Sequence, residues 1–358
     1  MSSLVVQTSF LGDIVLTTPL IRELASRGPV DVLTTPEGAS ILSNNPAIRS
    51  VIVYDRREAD SGLVGFGRTV GRIRRMGLYG SEEPTEPRRT TGEFYSVAYL
   101  AQGSLRSAML VTAAGVKRRV GFNTSEGRRF YTERVEYRPD HHHAERLWRL
   151  ANSNGDKSPT RDDITPSLFP TADDDHAAGA VVREQLANVS RPFIALAPGS
   201  VWATKRWPFY PELAQLIAQD FNVVVVGGGA DTAIGDAIVS QLPKGCAANA
   251  AGRLGILASA ALIGRAVALV TNDSAPQHLA SAMNTPTVTT FGPTVPEFGF
   301  GPLAPNSHVA GVAGLACRPC DRHGPQKCPL GHWRCMRELS SADVFGLLTQ
   351  TLSQVSSV

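Results

Sequence analysis

Two doubly wound α/β domains are predicted from three observations. Short β-branched and apolar runs alternate with amphipathic helical segments, the pattern of parallel strands joined by crossover helices. The pattern breaks over residues 153–175, "SNGDKSPTRDDITPSLFPTADDD", and a fresh series starts at "RPFIALAPGS". At 358 residues the chain also exceeds what one hydrophobic core usually organises, so two domains are expected, 1–175 and 176–358.

In the first domain the expected strands are "SLVVQTS", "VDVLTT", "VIVYD", "FYSVAYL" and "RRVGF". Between them, "PLIRELASR" and "RSAMLVTAAG" carry apolar residues at helical spacing. The stretch 77–92, "GLYGSEEPTEPRRTTG", has the charge, proline and glycine of a mobile loop. In the second domain the expected order is strand "PFIALAP", helix "PFYPELAQLIAQ", strand "NVVVVGGG" and helices "DTAIGDAIVSQL" and "LGILASAALIG". Strand "AVALVTN", helix "PQHLASAM", strand "TPTVTTFG" and a last helix "SSADVFGLLTQTLSQV", capped by Ser340 or Ser341, complete it. In such sheets ligands bind outside the C-terminal strand ends, so two facing domains would form a cleft.

Composition narrows the class. Apolar residues make up 42% and charged residues 19%, with no stretch approaching the roughly 18 apolar residues of a membrane span. The N-terminus lacks a basic leader and its apolar run is interrupted by Gln7 and Asp13, so a cytoplasmic protein is expected. Net charge is +3, and the excess lies early: residues 1–170 hold 23 Lys/Arg against 19 Asp/Glu, the remainder 12 against 13. The pairs Arg56-Arg57, Arg74-Arg75, Arg88-Arg89, Arg118-Arg119 and Arg128-Arg129 suit phosphates or an anionic membrane, or form a solvated surface. Nucleic acid is not expected as a partner, because no aromatic-interleaved basic stripe accompanies the charge.

Four constellations carry chemistry. In "TSFLGDIVLTTP" the strand ends near Thr8-Ser9 and a helix is expected to begin just after Asp13. Asp13 then reads either as a helix cap or as a general base at the strand mouth, with Gly12 permitting close approach of a substrate. In "APGSVWATKRWP", Ser200, Thr204 and Lys205 suit a polyanion, through N–H groups, hydroxyls and one cation. The spacing is not that of a Walker motif, and a surface Lys-Arg pair is the plain alternative. In "NVVVVGGGADTAIG", three glycines end a strand and Asp231 follows, as a ribose ligand or a helix cap. In "TNDSAPQHLASAM", Asp273 and Ser274 open a helix that bears His278 one turn in, a place for anions and sugar hydroxyls or simply good capping chemistry.

With "QGSLRSA", "KRRVGF", "HHAERLWRLA" and "NDSAPQHLASAMNTPTVTTFGPTVPEFGFGP", these motifs run in order through nearly the whole chain. In that order the sequence resembles the ADP-heptose:lipopolysaccharide heptosyltransferases, glycosyltransferase family 9, and most of all their heptosyltransferase II branch. The resemblance implies a GT-B fold, two Rossmann-like domains facing across a cleft. It implies Asp13 as catalytic base, Lys205 on the donor diphosphate, and Asp273 with His278 lining the donor pocket. Ser200, Thr204, Asp231 and Ser274 join the donor set, and Gln102 and Arg106 fall on the acceptor side. The implied donor is ADP-L-glycero-β-D-manno-heptose and the acceptor the lipid A inner core, reached by peripheral contact with the cytoplasmic face of the inner membrane. Transfer would invert configuration, without a cofactor or a catalytic metal. The alternatives are a related transferase with another nucleotide sugar or acceptor position, and a non-catalytic nucleotide-binding protein. A dinucleotide oxidoreductase is disfavoured, because "TSFLGD" lacks the G-x-G-x-x-G fingerprint.

Four of the five cysteines, Cys317, Cys320, Cys328 and Cys335, fall in "CRPCDRHGPQKCPLGHWRC". A structural zinc on four thiolates, disulfides, and free thiols are all compatible with this spacing, which lacks the usual second C-x2-C. The three histidines 141–143 are expected to begin a helix, not to bind a metal.

Overall fold

The structure is a computed structural model that describes residues 2–79, 94–153 and 158–355. Of the expected loop 77–92, residues 80–92 lie outside the described residues, and with them the Arg88-Arg89 pair. The chain divides into two compact units, Met1–Pro166 and Ser167–Val358. Among the described residues no helix is long and apolar enough to cross a membrane.

The first unit is built on six strands, β1 (Ser3–Gln7), β2 (Val30–Thr34), β3 (Ser50–Val53), β4 (Val97–Leu100), β5 (Arg118–Phe122) and β6 (Glu133–Val135). All pair in parallel, in the order β3-β2-β1-β4-β5-β6. Every residue of β1, β2 and β4 is buried, whereas β3 is partly exposed, as expected when helices cover both faces and leave only the edges wet. Leu4, Val6, Leu33, Ile52, Leu100 and Val111 belong to the core on one face.

The second unit repeats the plan with β7 (Phe193–Ala197), β8 (Asn222–Val225), β9 (Ala247–Asn249), β10 (Ala268–Asn272), β11 (Thr287–Thr290) and β12 (His308–Ala310). Their order is β12-β11-β10-β7-β8-β9, again all parallel. Numbered within its own unit, each sheet therefore has the strand order 3-2-1-4-5-6, and the winding reverses between its first and fourth strands. The helix Ala172–Gln185 packs on Ile256–Gly264 and belongs to this unit as a whole. The break expected at 175/176 falls inside it, and the units divide at Pro166/Ser167. A capping box starts this helix: Thr171 accepts from the Asp174 N–H while the Asp174 carboxylate accepts from the Thr171 N–H.

Candidate active site

At the reversal point of the first sheet, β1 runs out at Gln7 and the helix Leu11–Leu16 begins four residues later. Asp13 sits inside the first turn of that helix and not ahead of it. The N-cap position is Phe10, so Asp13 is not the cap. Its carboxylate takes a hydrogen bond from the Ser9 hydroxyl at 2.8 Å and lies 3.5 Å from His143 Nε2. Gln7 organises the turn from below: its Oε1 accepts from the Ser9 N–H at 3.2 Å and its Nε2 donates to Thr17 Oγ1 at 3.1 Å. A fifth of the Asp13 side chain is exposed, enough to meet a substrate.

His143 opens the helix His143–Ala151, capped by His142, whose Nδ1 accepts from the Ala144 N–H at 3.2 Å. Burial and the neighbouring Arg146 push the His143 pKa down to about 3, so the imidazole is neutral at physiological pH. A neutral ring can donate Nε2–H to Asp13 without neutralising its charge.

Gln102, just beyond β4, lies on the same edge and donates to Thr8 Oγ1 and, at 2.7 Å, to Ser107 Oγ. Arg106 donates to the Tyr54 hydroxyl and to the Gly62 carbonyl at 3.2 Å, with its guanidinium 5.7 Å from the Phe66 ring centre. It thus fastens the helix Gly62–Tyr79 to the sheet edge, a structural duty that the sequence did not announce.

The reversal point of the second sheet holds the other charged cluster. Lys205 and Asp273, on the loops after β7 and β10, are both buried, and Lys205 Nζ donates to Asp273 Oδ2 at 2.6 Å. Thr294 Oγ1 donates to the same oxygen at 2.6 Å, and Gln277 Nε2 to Oδ1 at 3.1 Å. A buried carboxylate with one ammonium and two neutral donors is well satisfied, and it holds the ammonium at the strand mouth. Asn272 locks the loop after β7: its Nδ2 donates to the Pro198 carbonyl at 2.8 Å, while its Oδ1 accepts from the Trp207 N–H at 3.1 Å.

The remaining expected donor residues divide. Ser274 occupies the N-cap of the helix Ala275–Ala282 but makes no capping bond, its hydroxyl turning to the Asn272 carbonyl at 3.3 Å. His278 is buried beside Gln277 and edge-on to Phe300. Ser200 Oγ accepts from the Trp202 N–H at 3.3 Å. The Thr204 hydroxyl proton is committed to the Pro325 carbonyl. Asp231 takes the Gly228 N–H at 2.9 Å as a cap, and a Cβ on Gly199 would stand 2.2 Å from its Oδ1. Asp231 therefore packs directly against the loop after β7, which explains the glycine at 199.

All five cysteines are unbridged thiols. Burial, then Cys320 and Cys328 nearby, push the Cys335 thiol up to about 11. Among the described residues no group of three or more His, Cys, Asp or Glu side chains is arranged to hold a metal ion.

Comparison with known proteins decides the family. Residues 85–332 match the family model described as glycosyltransferase family 9 (heptosyltransferase). The chain belongs to glycosyltransferase family 9. It is 30% identical to lipopolysaccharide heptosyltransferase 2 of Escherichia coli K12 over 332 residues, 88% of each chain. Among solved structures, this family 9 chain is similar to E. coli ADP-heptose lps heptosyltransferase II, with 25% identity, a TM-score of 0.75, and coverage of 99% of this chain and 100% of the other. It also shares its fold with E. coli heptosyltransferase WaaC with ADP, at 19% identity and a TM-score of 0.70, covering 98% and 100%. The protein is accordingly a glycosyltransferase of the GT-B fold, and the two equivalent strand-end clusters are its candidate active-site groups.

Proposed function

We propose that this family 9 enzyme transfers heptose, with inversion, from ADP-L-glycero-β-D-manno-heptose to the inner core of lipopolysaccharide, with Asp13 as general base. One observation carries the reading: each sheet holds its charged cluster at its own reversal point, Asp13 after β1 and the Lys205–Asp273 pair after β7 and β10. An acceptor hydroxyl attacks the anomeric carbon, its proton passes to Asp13, and the bond from that carbon to the diphosphate oxygen breaks, leaving ADP with the electron pair. Ser9 at Oδ2 and His143 at Oδ1 orient the Asp13 carboxylate toward the acceptor. Lys205, steadied by Asp273, and the N–H groups opening the helix Ala275–Ala282 meet the charge that develops on the leaving diphosphate. Stabilisation of this kind is worth about 3–4 kcal/mol per donor group. The acceptor is lipid-anchored, so the enzyme works in the cytoplasm against the inner-membrane surface.

The test is product analysis with ADP-heptose and defined lipid A core acceptors, with UDP- and GDP-sugars as competitors. Asp13→Asn keeps the shape and removes the base, and kcat is expected to fall by about 10²–10⁴ with little change in donor KM. Full turnover by the variant removes Asp13 from the role, and transfer from UDP- or GDP-sugars alone removes the donor assignment.

A further inference from the structure

Gln326 lies in the Cys-rich segment, outside every role assigned above, and its side chain is exposed. Both ends of its amide are nevertheless engaged with one short run of backbone. Oε1 accepts from the Ala203 N–H at 3.1 Å and Nε2 donates to the Val201 carbonyl at 3.0 Å. One residue earlier, the Pro325 carbonyl accepts from both the N–H and the hydroxyl of Thr204. Gly324, at φ +85°, comes so close that a Cβ there would stand 3.2 Å from Thr204 Oγ1 and 3.4 Å from Lys205 Cε. The His323 ring lies nearly parallel to Trp202, with centres 6.2 Å apart. Each residue of the run 323–326 thus lies against the loop 201–205.

That loop needs outside support. Its own regular structure is the three-residue 3-10 turn Ala203–Lys205, which offers little internal bonding. The supporting segment is in turn anchored on residues next to the same charged pair. The Cys320 N–H donates to the Pro293 carbonyl at 2.8 Å, and Arg318 donates to the Thr294 carbonyl at 3.1 Å. Thr294 is the residue whose hydroxyl holds Asp273.

We propose that Gln326 is a positioning residue for the nucleotide sugar: its amide bridge, with the Pro325 carbonyl, sets the 201–205 backbone so that Lys205 meets the donor diphosphate. The proposal rests on the reading of Lys205 as a donor ligand. Losing the bridge loosens the 201–203 backbone ahead of Lys205 and weakens donor binding, while the acceptor-side groups Gln102 and Arg106, on the first unit, are untouched.

The full-length Gln326→Met variant keeps side-chain volume and removes both hydrogen bonds, Gln326→Ala removes the side chain, and Lys205→Ala serves as reference. Steady-state kinetics should show KM for ADP-heptose raised about five- to thirtyfold in both Gln326 variants, as two lost hydrogen bonds imply, with acceptor KM and Tm near wild type. An unchanged donor KM in both variants overturns the proposal, and so does a lowered Tm with donor KM intact, which makes the bridge purely structural. If Lys205→Ala raises donor KM and the Gln326 variants do not, the positioning role alone fails. If Lys205→Ala has no effect, the donor reading beneath it fails.

Discussion

Asp13 takes its setting from residues that no local pattern singled out. Ser9 lies four positions before it and His143 is 130 positions away, yet both reach its carboxylate. A serine in a turn and a histidine at a helix start are unremarkable in sequence, and only the packing of the helix His143–Ala151 brings the ring to the mouth of β1. Burial of that ring has a measurable cost. The folded protein holds His143 neutral down to about pH 3, whereas the unfolded chain takes up the proton near pH 6.5. Between those values the unfolded state binds more protons, so this residue makes stability fall as pH falls, by about 1.4 kcal/mol per pH unit. Unfolding by denaturant from pH 7 to pH 4 should therefore lose stability more steeply in the wild type than in His143→Gln. Parallel curves would show that His143 is not buried neutral.

At the level of elements, the β-branched runs identified the long central strands, because burial on both faces leaves little but apolar residues in them. Three of the four edge strands, β6, β9 and β12, each three residues long, are too short to show a pattern and are defined by their partners' hydrogen bonds. The helix Gly62–Tyr79 carries five glycines, poor intrinsic helix formers, and its last three residues are helical where the sequence predicts the loop 77–92. Tertiary packing overrides propensity there: a Cβ on Gly65 would lie 2.1 Å from the Asp60 backbone, and one on Gly77 would meet Phe94 and Tyr95 at 3.0 Å. The strand-mouth loops are held just as tightly. Gly199→Ala should drive the Asp231 carboxylate off the Gly228 N–H and cost about 1–3 kcal/mol. Equilibrium denaturation with a midpoint equal to wild type would count against that contact.

On the scale of the whole molecule, the Lys/Arg excess of the first 170 residues, 23 against 19 acids, suits the proposed acceptor, which would be presented on an anionic bilayer. Sedimentation with phosphatidylglycerol-containing vesicles should capture the protein at low salt and release it at several hundred millimolar salt, where charges are screened within a few ångströms. Binding independent of salt and of anionic lipid would refute the electrostatic reading. Sequence alone determined the two-domain α/β plan and the family, since periodicity and motif order are properties of the linear chain. It also set Asp13, Lys205 and Asp273 at strand mouths, because each follows a predicted strand at a recognisable polar turn. Which residues touch was decided only by tertiary structure. The Lys205–Asp273 pair spans 68 positions, Asp13 and His143 span 130, and Gln326 reaches back 123 to Ala203. The Lys205–Asp273 contact depends on the reversal of strand order, which brings the first and fourth strands of each sheet together, and the other two on how later segments pack back on the strand mouths; neither has a signature in any short stretch of sequence.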